Sequence, residues 1–485
     1  MLLSLRVLSC ISLMLLSLLT TPLLAAKVKL DPSHWGLEGG QECIKCHSKT
    51  SVGIVRQWRD SAHGEAKVNC LDCHQAQTTD ADALEHEGFT IATIVSPKDC
   101  GRCHEQEEQQ NSGSVHVNAT RLLDAQHPIM TNALGGQAAA DASCAQCHGS
   151  QIKVRGDGSL DPATWPNSGI GRINPDGSKG SCSACHGRHS FSKAQARQPE
   201  ACTVCHQGLD SPDKEVFEAS PHGRAYTSQK DKMNLSSDSW VAGKDYAASA
   251  TCVSCHMGAA GKLPSSHDVG LRSAWKLNRP VSERQHLVLF EDGSKRAILD
   301  SEPKPARGDL LQKYDGSEAK VKLLVPADRR RQAMTQVCLE CHAKNTVNGF
   351  MQQFDTLVET YNSHFAQPAQ AIMAGLYAQQ LLTPQPFDEP VELIYWRLWH
   401  DQGIRARHGA AMMSAEYSGW QGMHQLSQAF YGEFLPQVRA LGEAATALVD
   451  QHVLSRSEHV WLKSAADSRS GVQGLGIKQE QAAHE

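Results

Sequence analysis

The stretch Cys144-Ala-Gln-Cys-His148, then Cys182-Ser-Ala-Cys-His186 running into Gly187-Arg-His-Ser-Phe-Ser192, then Cys202-Thr-Val-Cys-His206 with Gln207-Gly-Leu-Asp210, and finally Ser220-Pro-His-Gly223, decides the reading of this chain. Each Cys-x-x-Cys-His places two thiols one helical turn apart and an imidazole next to the second. That spacing suits covalent attachment of a c-type haem, in which both vinyl groups become thioethers and the His supplies one axial nitrogen to iron. Three such sites fall within this one segment.

Working outward, five more copies appear: Cys43, Cys46 and His47; Cys70, Cys73 and His74; Cys100, Cys103 and His104; Cys252, Cys255 and His256; Cys338, Cys341 and His342. A single Cys-x-x-Cys could be a redox pair or half of a zinc site. Eight copies that all end in His leave little room for either. The sixteen motif cysteines, with Cys144, Cys147, Cys182, Cys185, Cys202 and Cys205 among them, account for all but Cys10, so no structural disulfide pair remains. The implied cofactor set is eight covalently bound haem c groups, each with a proximal His: His47, His74, His104, His148, His186, His206, His256 and His342.

Residues 1–26 carry one Arg, an apolar run and Ala25-Ala26 before Lys27, which is the pattern of a secretory signal peptide. Haem c is attached outside the cytoplasm, so the chain is expected to be periplasmic or extracellular. Cys10 then leaves with the leader, the other reading being a lipid anchor. No later stretch is long and apolar enough to span a bilayer. The formal charge of −5 argues against nucleic acid.

The expected fold class is mainly α: a multihaem cytochrome c with a haem-packed core, a small β-hairpin insert and a C-terminal region of long helices. An aromatic content of only 6% suits a core filled largely by haem. Residues 27–345 form the octahaem domain, 346–463 the helical region and 464–485 a polar tail. Motif intervals are too uneven for a solenoid repeat. Within the octahaem domain, at about 280–325, Gln285 to Phe290 and Lys295 to Leu299 flank Glu-Asp-Gly-Ser and read as a hairpin, with Lys320 to Val325 as a further strand. Phe350, Phe354, Leu357, Val358, Tyr361 and Phe365 recur at helical spacing, with Pro368 as a kink. Pro390 opens a second helix through Leu398, and a third runs from Gly419 towards Val453.

Function turns on the second axial position of each iron. An iron held by His on both sides passes electrons, whereas one with an open face binds a small molecule. Sixteen histidines lie outside the motifs, and residue chemistry alone does not choose among them.

The segment from Cys185-His-Gly-Arg-His-Ser-Phe-Ser192, through Ala196-Arg-Gln-Pro-Glu-Ala-Cys-Thr-Val-Cys-His-Gln-Gly-Leu-Asp210, to Ser220-Pro-His-Gly223 resembles the hydroxylamine oxidoreductase family of octahaem cytochromes. The likeness extends to Asp-Pro-Ser-His34, Ser-Ala-His63, Leu-Glu-His86, Ser-Val-His116 and Ser-Ser-His267, and more weakly to the C-terminal helices. It implies distal ligands at His34, His63, His86, His116, His189, His222 and His267. Seven ligands serve eight haems, and the resemblance implies that the fourth haem, on His148, is catalytic and lacks a distal protein ligand.

Two departures bear on the reaction. Hydroxylamine-oxidising members carry an Asp-His pair after the sixth motif, where this chain has Asp210 and Ser211. They also bear a Tyr that is covalently bound to the catalytic haem of a neighbouring subunit. Here the register puts His424 or Ser427 at that place, with Tyr417 and Tyr431 as the other candidates. Members without the Tyr resemble reductases, so the resemblance implies reduction of nitrite or hydroxylamine towards ammonia, with Asp210 as proton donor. Electrons would come from a redox partner cytochrome or a quinol-linked donor, and a homotrimer through the C-terminal helices is expected. Oxidation of hydroxylamine or hydrazine is the alternative within the class. An alternative of another class is an electron conduit in which His127, His364 or His408, or else Met257 or Met423, caps the fourth iron. Reductases with a Cys-x-x-Cys-Lys site match poorly, since all eight motifs end in His.

Overall fold

A computed structural model describes residues 39–121, 135–209 and 211–462. The leader, His34, His127, Asp210 and the tail 464–485 therefore lie outside the described residues. Each attachment motif sits on a single helical turn, because a bond from the His amide back to the first Cys carbonyl sets the i to i+4 geometry. That bond is 2.8 Å in the third motif, 3.0 Å in the fifth, 3.1 Å in the sixth and 3.0 Å in the eighth. Local capping starts several of these turns. The Asn69 carboxamide accepts from Leu71 and Asp72 ahead of the helix Cys70–His74, and Thr251 with Ser254 forms a reciprocal capping box ahead of Cys252–His256.

The histidines expected as distal ligands are presented by equally local devices. His63 and His222 share one design, Ser-x-His-Gly, in which Ser61 or Ser220 caps a helix by accepting from the amide of Gly64 or Gly223. A Cβ on Gly64 would sit 2.3 Å from the Trp58 carbonyl, and one on Gly223 would sit 1.9 Å from that of Phe217, so only glycine fits. His86 ends the strand Ala83–His86, which pairs antiparallel with Phe89–Ala92. The two-residue turn Glu87-Gly88 has positive φ at both positions, 51° and 84°, as a tight hairpin of this hand requires.

The insert is larger than the expected hairpin. Glu283–Phe290 pairs with Lys295–Leu299 and with Glu318–Val325, and Trp275–Lys276 and Leu310–Gln312 complete a five-stranded sheet. Val288, Phe290, Ile298 and Val321 form its own small core. Buried ion pairs and hydrogen bonds tie it to its neighbours. Arg330 on the helix Ala327–Leu339 donates to the carbonyls of Leu271 and Gln285, Lys295 meets Asp268 at 2.7 Å, and Asp355 accepts from Trp275, Arg284 and Arg331. The Lys295 contact fixes the residue next to the distal candidate His267.

The C-terminal helices repeatedly switch between α and π winding. Lys344–Tyr361 passes through a π turn at Asn362–Ala366 into Gln367–Ala378. Pro368 therefore does not end the helix: the wider turn just before it accommodates the missing amide and the ring's clash with the preceding carbonyl. Pro390–Arg397 likewise continues through Leu398–Gln402 into Gly403–Ala411. The third expected helix is two. It breaks after Leu435–Ala440 at Gly442, whose φ of 112° no L side chain favours, and Glu443–Val449 begins a new one. Tyr361, Phe365, Ile372, Leu376, Phe430, Phe434 and Val449 are buried together between these helices. Full burial of a side chain such as Phe430 contributes about 1.5–3 kcal/mol. No helix among the described residues is long and apolar enough to cross a membrane.

Candidate haem-binding site

Six of the eight proximal histidines face a distal candidate across a gap of nearly constant width. Ring centres are 6.1 Å apart for His47 and His86, 6.4 Å for His74 and His189, and 6.1 Å for His104 and His63. They are 6.4 Å apart for His186 and His267, 6.2 Å for His206 and His116, and 6.0 Å for His342 and His222. An iron about 2 Å from each of two imidazole nitrogens, the usual length of a His–metal bond, would hold the ring centres about 6 Å apart. The described residues thus fit haem iron ligated on both faces. Burial lowers the pKa of the His116 and His186 rings to about 4, with neighbouring imidazoles adding to the effect, so both are neutral and ready to ligate.

Among the described residues no histidine ring faces His148 or His256 at that spacing. The fourth motif is nonetheless firmly built. His148 Nδ1 lies 3.3 Å from the Ala119 carbonyl, which fixes the ring by one nitrogen and leaves Nε2 for iron. Behind it, Gly149, Gly169 and Gly171 are in backbone contact, and a Cβ at Gly169 would approach the Gly149 amide to 2.1 Å. Thr120 Oγ1 lies within hydrogen-bonding reach of the carbonyls of His148 and Gly171.

Cysteine side chains show how the motifs connect. Their thiols are the groups to which the motifs would tether haem. Cys43 contacts Cys70, Cys100 contacts Cys182, Cys147 contacts Cys205, and Cys202 contacts Cys252. Cys73 is within electrostatic range of Cys100, Cys185 of Cys202, and Cys255 of Cys338. The fourth motif thus meets the sixth, where Cys147 Sγ is 3.9 Å from the Val204 carbonyl.

Three of the alternative caps, His408, His364 and Met423, have partners of their own. His408 Nδ1 bonds Asp213 at 2.8 Å, and His364 lies against His459 in the C-terminal helices, ring centres 5.9 Å apart. Met423 packs on the C-terminal core. His424 stands edge-on to Trp420, and Ser427 Oγ donates to the Met423 carbonyl one turn back. Tyr431 is part of the helix packing, its hydroxyl 3.1 Å from His459 Nδ1 and its pKa pushed up to about 12 by burial.

Sequence reasoning missed Asp213. Its Oδ2 accepts from His206 Nδ1 at 3.1 Å and from Ser211 Oγ at 2.6 Å, while Oδ1 accepts from His408. Burial alone would raise its pKa, but His408 and His206 beside it hold the carboxyl well below the usual carboxylate range. The signal in the sequence was a carboxylate seven residues after an axial His, too common a pattern to single out.

Comparison with known proteins agrees with this reading. Residues 176–288 match a family described as "Seven times multi-haem cytochrome CxxCH" and residues 55–149 match "Cytochrome c7 and related cytochrome c". A curated relative from Kuenenia stuttgartiensis, described as a probable nitrite reductase-hydroxylamine oxidoreductase fusion protein, is 26% identical over 384 residues. That match covers 72% of this chain but only 39% of the relative's length. Among solved structures, one titled a hypothetical multiheme protein superposes with a TM-score of 0.67 at 22% identity, over 91% of this chain and 98% of the other. A reducing HAO-like protein complex from Kuenenia stuttgartiensis gives 0.53 at 18% identity, over 88% of this chain and 87% of that one. Motifs, fold and relatives converge on a multihaem c-type cytochrome that is similar to the hydroxylamine oxidoreductase-like proteins.

Proposed function

We propose that this protein reduces nitrite or hydroxylamine towards ammonia at its fourth haem site, outside the cytoplasm. The observation that carries the reading is the contact of Cys147 with Cys205 and the Val204 carbonyl, which sets the fourth motif directly against the sixth. A substrate bound there lies next to the electron supply and close in sequence to a carboxyl group, Asp210. Eight bound haem c groups would supply single electrons and, at one open face, a place for the nitrogen substrate.

The chain's own residues do the rest. His148 would hold the fourth haem iron, its ring orientation set by the Ala119 carbonyl. Six His pairs would complete the first, second, third, fifth, sixth and eighth sites, and the resemblance implies His34 as the seventh distal ligand. Asp210 donates protons as N–O bonds break. Electrons enter from a partner cytochrome or a quinol-linked donor, and the C-terminal helices assemble three copies, which light scattering would report as a trimeric mass.

The test is carbon monoxide uptake by the reduced protein together with two substitutions. One haem per chain should be high-spin and bind carbon monoxide. Asp210→Asn should slow reduction of nitrite and hydroxylamine strongly with little change in the haem spectrum, whereas His148→Ala should disturb the site itself. Uptake by no haem would leave only electron relay. A haem-to-Tyr bond, seen as chains that stay joined on denaturation, would make the protein an oxidase instead.

A further inference from the structure

The sixth proximal histidine is held unlike the others whose second nitrogen has a partner in the described residues. His74 Nδ1 meets the Ala92 carbonyl at 2.8 Å, His148 the Ala119 carbonyl at 3.3 Å, and His256 the Val269 carbonyl at 3.3 Å. These are neutral acceptors. His206 Nδ1 instead meets the Asp213 carboxylate at 3.1 Å, with Ser211 Oγ at 3.0 Å. Because Nε2 is committed to iron, Nδ1 must carry the proton and the carboxylate must accept it.

The carboxylate is itself fixed. His408, on the helix Gly403–Ala411, bonds its other oxygen at 2.8 Å, and both side chains are largely buried, 16% and 20% exposed. A group from the C-terminal helices, 195 residues away in sequence, therefore sets the position of a carboxylate behind an axial ligand. Low exposure limits screening by water, so the negative charge acts at close range.

We propose that Asp213, oriented by His408, is a positioning residue that gives the His206 imidazole anionic character and so lowers the reduction potential of the sixth haem relative to haems whose proximal His donates to a backbone carbonyl. A more basic imidazole donates more strongly to iron and stabilises the oxidised state. Since the sixth motif touches the fourth through Cys205 and Cys147, this haem holds each electron at a strongly reducing level just before transfer. That last step rests on the proposed direction of electron flow; the tuning does not.

The experiment is optical and electron paramagnetic resonance titration of the purified holoprotein and of Asp213→Asn and His408→Ala. In Asp213→Asn one low-spin haem should become easier to reduce by about tenfold in its oxidised-to-reduced ratio at fixed potential, which for one electron is about 59 mV, while the other haems stay in place. His408→Ala should shift the same haem in the same direction by less. If no midpoint moves, or if all move together, the proposal is overturned. Should Asp213→Asn fail to mature, the parent protein decides: one ferric bis-His signal must show the stronger ligand field of an imidazolate-like axial ligand, and its absence overturns the assignment. A shifted midpoint in a protein that reduces neither nitrite nor hydroxylamine would uphold the tuning and sink only the catalytic reading.

Discussion

Cys147 of the fourth motif reaches to 3.9 Å from the carbonyl of Val204, inside the sixth motif and 57 residues further along the chain. The fifth motif lies between them in sequence but contacts the third, through Cys182 and Cys100. On the proposed reading, proximity of this kind rather than sequence order would set which haem passes electrons to the fourth.

The haem count is the first expectation to check. With sixteen thiols and no disulfide among the described residues, denatured protein matured in a competent host should exceed its processed polypeptide mass by eight haems. Mass spectrometry reads this directly, and seven or fewer would contradict it.

Removing one distal ligand should open one iron. His86 sits at the tip of a two-stranded hairpin with its ring 6.1 Å from that of His47. His86→Ala should convert one low-spin haem to a high-spin form and add one equivalent of carbon monoxide binding in the reduced protein. Unchanged carbon monoxide binding would mean that His86 is not the ligand.

Gly223→Ala should be harmful out of proportion to its size. The added methyl would lie 1.9 Å from the Phe217 carbonyl, so the helix carrying His222 must move. Overpacking of this kind costs about 1–3 kcal/mol. Thermal unfolding should report the loss, and the low-spin signal of the eighth haem should broaden, because His222 would no longer meet His342 at 6.0 Å.

Asp355 should give the fold an acid-sensitive clamp. Burial would raise its pKa, but hydrogen bonds from Arg331 and Trp275, with the charges of Arg331 and Arg284, hold it below the ordinary value. A carboxyl depressed in the folded state stabilises above its unfolded pKa of about 3.9 and loses that contribution as pH falls through the folded value. Asp355→Asn should therefore cost about 1.5–3 kcal/mol at neutral pH. The gap between parent and variant in urea unfolding should close as pH drops below about 4; a gap independent of pH would refute the clamp.

What the sequence determined by itself was chemistry carried by contiguous residues. Cys-x-x-Cys-His needs only one helical turn, so each attachment site was legible residue by residue. The Ser-x-His-Gly segments of His63 and His222 were legible through the resemblance, and their cap and glycine show that the local geometry is set within four residues. The amphipathic runs after His342 showed helices, and the Gln285 to Leu299 alternation showed strands.

Only the tertiary structure decided how these pieces pair. Nothing local tells His189 to face His74 rather than its near neighbour His186, or His116 to face His206, because ligand pairing depends on where separate helices dock. The five-stranded extent of the insert was hidden because Trp275–Lys276 and Leu310–Gln312 are too short to show a period of their own. The π turns near Pro368 and the break at Gly442 reflect packing demands that helical spacing does not encode. The pairing of Asp213 with His408 stayed invisible for the same reason: a carboxylate and an imidazole far apart in the chain acquire this meaning only when folding brings them to 2.8 Å beside His206.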